Sequence, residues 1–131
     1  MNLLGKLGRL FLGGTFVVLG SNALRKPGAM AKVAGPSLDQ IRSVVPLPAD
    51  NELLVQVNAA VQTGAGAAMA LGAFPRLSAL ALAGSLIPTT YAGHAFWKIE
   101  DPAQRNAQRT QFLKNVGMLG GLLVVVGAGR D

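Results

Sequence analysis

LLVQVNAAVQTGAGAAMALGAFP, residues 53–75, and LSALALAGSLIPTTYAGHAFW, residues 77–97, contain no Asp, Glu, Lys or Arg and are separated by Arg76 alone. A hydrocarbon core about 30 Å thick needs roughly 20 helical residues at about 1.5 Å each, so either run is long enough to span it. Phe74-Pro75-Arg76 between them is a tight turn, and the two runs read as an antiparallel hairpin. Outward on either side lie two shorter charge-free runs, residues 10–24 and 115–129. Each reaches spanning length if its flanking basic residues, Lys6 and Arg9 in the first and Lys114 in the last, extend to the headgroups. The expected architecture is all-α: an integral membrane four-helix bundle forming one domain over residues 1–131. Its helices are expected at about 3–26, 51–73, 76–97 and 103–129.

Composition agrees with that location. Half of the 131 residues are apolar and 14% are charged, against about 25% in soluble domains. The net charge of +6 would point to nucleic acid in a soluble domain. Here the charges fall between apolar segments, beside anionic headgroups, and no basic run is interleaved with aromatics. The partners implied are membrane lipids, with no nucleic acid. With no Cys and one His, disulfides, thiolate metal sites and cysteine-ligated clusters are excluded, as is bis-histidine haem ligation within one chain. No metal site is expected. No nucleotide loop, zinc motif or nucleophilic triad is present, and Asp and Glu occur only at positions 39, 50, 52, 100, 101 and 131, outside the charge-free runs. Proton coupling through a buried carboxylate is therefore disfavoured.

Residues 1–26 share features with a signal peptide, and Ala29-Met30-Ala31 mimics a cleavage site. We read them as a retained helix, because the other three need it as a partner. Residues 27–50 form the one long connection, punctuated by Pro27, Pro36, Pro46 and Pro48. Within it Ser37 and Gln40 form a capping box, and Leu38, Ile41 and Val45 share a face. These predict a short amphipathic helix over about 37–45, lying on the membrane or closing the end of the bundle. In the 51–73 segment, Gly64, Ala68 and Gly72 recur every four residues and are read as the bundle seam. Pro88 predicts a kink near Gly84, with Thr89 and Thr90 resatisfying the freed backbone. Phe96, Trp97 and Lys98 predict an interfacial anchor. Asp101 before Pro102 opens the last helix, where Gly117 and Gly121 offer a packing or dimerisation face.

Four spans put both termini on one side, with Lys6, Arg9, Arg76 and Arg130. The other side carries Arg25, Lys26, Lys32, Arg42, Lys98, Arg105, Arg109 and Lys114. The excess of basic residues makes this second side cytoplasmic and places the termini outside.

The polar residues that lipid makes costly are the site candidates. Asn58 and Gln62 stand four apart on one helix face, either lining a pocket for a quinone or lipid headgroup or bonding between helices. His94, one turn before the aromatic anchor, is placed to bond a quinone carbonyl, relay a proton, or simply bond backbone. Asn115 and Lys114 open the last span on the same side as His94. With Asp101, Arg105 and Arg109 they form either a mixed-charge cluster over the bundle mouth or a solvated loop. Met69 and Met118 read as lipid-facing or core fillers.

From Arg76 onward the chain resembles the DoxX family of small four-helix membrane proteins. The resemblance rests on GHAFW at 93–97 followed by QFLKNVGMLGGLL at 111–123, with ALRKP at 23–27 and NAAVQTGAGAAMALGAFPRL at 58–77 fitting the actinobacterial pattern. It implies a bacterial plasma-membrane protein associated with oxidoreductase complexes, with no established catalytic residue to carry over. Two readings follow: a non-catalytic subunit or scaffold of a redox or respiratory complex, or a quinone-binding oxidoreductase component. In the first, Gly64, Ala68, Gly72, Gly117, Gly121, Trp97 and Lys114 meet a protein partner or a second copy. In the second, His94, Asn58, Gln62 and Asn115 hold the cofactor, a quinone. A small transporter or lipid-handling protein is a third.

Overall fold

The computed structural model describes residues 2–94 and 96–128. Five α-helices account for most of them: α1 (Leu3–Arg25), α2 (Pro27–Arg42), α3 (Asn51–Ala70), α4 (Pro75–Gly93) and α5 (Pro102–Ala128), with a 3-10 turn over Phe96–Lys98 before α5. Among the described residues there is no strand. The expected end of the last helix at 129, and Arg130, lie outside the described residues.

The helix starts follow local chemistry. Asn2 caps α1 by accepting from the Gly5 amide at 2.9 Å, Asp50 caps α3 through the Leu53 amide at 3.2 Å, and Asp101 caps α5 through the Gln104 amide at 3.1 Å. Each carboxylate or amide oxygen satisfies a backbone donor left over by the first turn. At the α3–α4 turn, Gly72 and Phe74 take positive φ values of 80° and 44°. Two left-handed residues reverse the chain within a few positions, and Pro75 then starts α4.

The expected nine-residue loop helix is instead the sixteen-residue α2. Its first residue is Pro27, whose missing amide proton costs nothing at that position. Pro36 lies inside the helix, where it removes one backbone bond at a cost of about 3 kcal/mol. Packing of α2 against α3 and α4 offsets this. Ser37, expected to cap, is buried inside the helix and accepts from Lys98 Nζ at 3.3 Å.

α1 packs along α3, α3 along α4 and α4 along α5. Neighbours run antiparallel: Gly13 of α1 meets Gly66 and Ala70 of α3, and Gly20 meets Ala59 and Thr63. Leu12 of α1 approaches Gly121 of α5 with a closest side-chain approach of 3.4 Å to the position of an added Cβ. The core is built at this end, around the fully buried Phe16, Met69, Leu82 and Leu122. Toward the other end α1 and α5 diverge, and α2 lies across the start of α3 and the end of α4.

The seam thus runs on residues other than those expected. Gly13, Gly20 and Gly66 make the close backbone approaches, and a Cβ on Gly66 would stand 2.7 Å from the Gly13 carbonyl oxygen. Gly64 and Gly117 face open space, and Gly72 belongs to the turn. Ala68 is only half-buried. The four-residue spacing marked a stripe that α3 does not turn toward α1. Of the second pair, Gly121 alone meets another helix, through Leu12.

α1 and Pro102–Gly127 of α5 are long and apolar enough to cross a membrane, and most of each stands exposed in the chain. Leu3, Leu4, Phe11, Val18, Ile87 and Val124 are each more than half exposed. An apolar surface of this extent suits lipid and not water.

Candidate functional site

Beyond the core, toward α2, the helices border a half-open cavity of about 540 Å³. α2 roofs it with Ala34, Leu38 and Ile41, which recur at helical spacing on one face. Leu38 and Ile41 are thus turned inward as the amphipathic pattern anticipated, whereas Val45 lies beyond the helix and is exposed. Phe16, Leu86 and Met118 supply apolar wall toward the core. No carboxylate lines the space, and its cationic groups are Lys26 and Lys114.

Two latches hold the roof. Lys98 Nζ donates to Gln40 Oε1 at 3.1 Å and to Ser37, and the Tyr91 hydroxyl donates to the same Gln40 oxygen at 3.1 Å. On the other side Arg42 donates to the Pro48 carbonyl through Nε at 3.1 Å and Nη2 at 2.8 Å, and to Asn51 Oδ1 at 2.6 Å. The Arg42–Asp39 ion pair at 3.0 Å is exposed on the Asp39 side and adds little. The guanidinium therefore acts chiefly by gathering backbone and amide oxygens, and it ties the end of α2 to the start of α3.

Asn22 of α1 lines the space too, but the bonded polar lining comes from α3, α4 and α5. Asn58 of α3 donates to Thr89 Oγ1 and accepts from Ser85 Oγ, both at 2.5 Å. Gln62, one turn on, reaches Thr89 with its Nε2 at 3.4 Å. Asn115 of α5 donates to Thr90 Oγ1 at 3.0 Å. Gln62 and Asn115 are both more than nine-tenths buried. Their amide nitrogens are engaged, while Gln62 Oε1 and Asn115 Oδ1 have no protein partner among the described residues. They are not sealed within protein: among the described residues the one buried side-chain atom without a partner is Arg9 Nε. The cavity that Gln62 and Asn115 line is where a donor meets their oxygens.

His94 ends α4 and lines the cavity. Its Nδ1 lies 2.7 Å from Gln108 Oε1 of α5. With the amide oxygen as acceptor, Nδ1 is the donor of this pair, and Nε2 has no hydrogen bond among the described residues. Asn58, Gln62, His94, Asn115 and Lys114 thus all border one space. Asp101, Arg105 and Arg109 do not join them. Asp101 is used as a cap, and among the described residues no ion pair links it to either arginine.

Ser85, which bonds Asn58 behind the wall, and Thr89, which lines the cavity, are partners that the sequence reading missed. They stand four apart on α4 opposite Asn58 and Gln62, also four apart, on α3. Matched pairs at one-turn spacing on adjacent antiparallel helices are the signal that identifies such a ladder. Thr89 and Thr90 hydroxyls do bond backbone, but to Ser85 and Leu86 carbonyls at 2.8 Å each. They do not serve the Gly84 carbonyl that Pro88 leaves without its amide partner.

Beside the cavity, on the outer side of α4 and α5, lies a shallower apolar groove of about 290 Å³. Tyr91, Phe96, Trp97 and Phe112 cluster at its head, with ring centroids 5.4–5.9 Å apart. Phe96 and Trp97, expected with Lys98 as an interfacial anchor, are thus members of an aromatic cluster that also takes in Tyr91 and Phe112. Trp97 stacks within it and is 43% exposed. Met69 is wholly buried in the core, and Met118 packs against that core. Among the described residues no group of His, Asp or Glu is placed to hold a metal ion.

Residues 5–95 match the family model described as DoxX. The match takes in α1 to α4 and stops before α5, so the 111–123 motif lies outside it. No curated protein and no solved structure matches the chain.

Proposed function

We propose, from the premise that the chain belongs to the DoxX family of membrane proteins, that it is a four-span subunit of a bacterial plasma-membrane redox assembly. In this reading it has no catalytic activity of its own and holds a lipid-soluble quinone-class ligand between its helices. The observation that carries this is that two side chains more than nine-tenths buried, Gln62 and Asn115, present amide oxygens without a protein partner among the described residues to a largely apolar cavity. A dry, closed seam would have favoured pure scaffolding. Carboxamides suit a ligand that alternates between carbonyl and hydroxyl, since each offers both an acceptor and N–H donors. His94 Nε2 adds a third polar contact, and the absence of a lining carboxylate leaves no fixed negative charge to repel an electron-rich head.

The four-span arrangement is supported by the charge-free runs and by the exposed apolar faces of α1 and α5. On this arrangement the cavity end carries Arg25, Lys26, Lys32, Arg42, Lys98, Arg105, Arg109 and Lys114, which places the roof on the cytoplasmic side and the termini outside.

The test uses the single Trp of the chain. Protein in lipid nanodiscs is titrated with menadione, a tailless naphthoquinone, and Trp97 fluorescence is followed. Saturable quenching that weakens at least tenfold in a Gln62→Leu/Asn115→Leu double variant supports the reading. Quenching that rises linearly with concentration, or is unchanged by the variant, overturns it.

A further inference from the structure

The inner cavity and the outer groove share a wall. Leu86 and Asn115 line both spaces. On α4, Pro88 and Thr89 face the cavity, whereas Ile87, Thr90 and Tyr91 face the groove. The partition is therefore one side chain thick, and the hydrogen bond from Asn115 Nδ2 to Thr90 Oγ1 closes it. That bond is cheap to open. Thr90 already donates to the Leu86 carbonyl at 2.8 Å, so losing Asn115 leaves its hydroxyl proton satisfied. Only Asn115 needs a replacement partner, and a carbonyl on a ligand head in the cavity supplies it.

We propose that the α4–α5 groove is the tail subsite of the cavity ligand, taking a prenyl chain that passes between Thr90 and Asn115 while the head stays inside. The inference rests on the ligand-binding reading above and adds where the ligand's tail lies. The occupant follows from adjacency: groove and cavity stand on either side of one wall, Leu86 and Asn115, whose Asn115–Thr90 bond is the place a chain can pass, and the groove lining is almost wholly apolar. Lipid tails are as apolar as Val116 and Leu119, so the groove supplies shape and a passage and no hydrophobic gain over the bilayer. Its occupant is accordingly a chain tethered to a head that the cavity already holds.

The experiment compares menadione with the same naphthoquinone head bearing four prenyl units. Binding is measured by calorimetry in nanodiscs for the wild type and for an Ile87→Phe/Val116→Phe variant. Both positions are about half exposed, so the added rings fill the groove without entering the core, and an unchanged unfolding temperature verifies this. The expected result is at least a tenfold loss of affinity for the tailed probe in the variant, with menadione unchanged within twofold. If the variant binds the tailed probe as the wild type does, the tail subsite is wrong while the cavity stands. If the wild type binds neither probe, the cavity reading falls and the subsite with it.

Discussion

Gly13 of α1 and Gly66 of α3 meet backbone to backbone, each occupying the space where a side chain on the other would begin. A Cβ on Gly13 would overlap the Gly66 carbonyl oxygen and stand 2.7 Å from the Ala70 amide nitrogen. Neither obstacle can swing aside, because both are helical backbone. Replacing Gly13 with Val is expected to destabilise the folded chain by at least the roughly 1–3 kcal/mol of an overpacked core. Gly64→Ala and Gly117→Ala, which meet nothing within 4 Å, should stay within about 0.5 kcal/mol of wild type. Thermal unfolding in detergent, followed by circular dichroism, separates the two sets, and equal losses would refute the assignment of the seam.

Asn58 carries both halves of the α3–α4 ladder, since its nitrogen serves Thr89 and its oxygen serves Ser85. Asn58→Leu keeps the branched shape and removes both bonds. Interhelical bonds of this kind are each worth about 0.6–2 kcal/mol in a membrane, so the variant should lose on the order of 1–3 kcal/mol, and Ser85→Ala less. A double-mutant cycle between the two positions should show coupling. Additive losses would mean that the pair does not act as a unit.

Arg42 holds the roof more than it holds Asp39. Asp39→Asn should therefore be nearly silent, whereas Arg42→Ala should loosen α2. The chain lacks cysteine, so a Leu38→Cys substitution introduces a unique thiol under the roof. Maleimide labelling of that thiol is expected to speed up several-fold when Arg42→Ala is added and to stay unchanged with Asp39→Asn. The reverse pattern would place the latch elsewhere.

Single cysteines also test the four-span arrangement. Val44→Cys and Phe74→Cys lie at opposite ends of the helices, and both parent residues are well exposed. In sealed cells an impermeant maleimide should label the Phe74 position and spare the Val44 position. Labelling of both from outside would remove the four-span reading, and labelling of Val44 alone would invert the orientation.

The helices were legible in the sequence because missing charge over about 20 residues has few alternative explanations. The gathering of Asn58, Gln62, His94 and Asn115 at one cavity was legible too, since each is a polar residue set in an apolar run and antiparallel helices bring their positions to one end. The seam was not. From Gly64 to Ala73 nearly every residue of the chain is small, so the spacing of glycines cannot say which stripe turns inward. The usable signal was relational: Gly13 and Gly20 are seven apart, as are Ala59 and Gly66, and two turns of one helix match two turns of the other. The start and length of α2 were missed for a different reason. Pro27 and Pro36 read as breaks, but one starts a helix without cost and the other is tolerated because α3 and α4 support the segment it interrupts.

Thr89 and Thr90 are consecutive, yet one faces the chamber and the other the outer channel. Successive residues of an α-helix are about 100° apart, so these two hydroxyls fix the angular setting of α4 as a key fixes a shaft. A turn of one residue would carry Thr89 away from Asn58 and Thr90 away from Asn115, breaking both polar attachments together. α4 can tilt or shift between its neighbours, but it cannot roll, and the inner and outer surfaces that it divides keep their identities through any such movement.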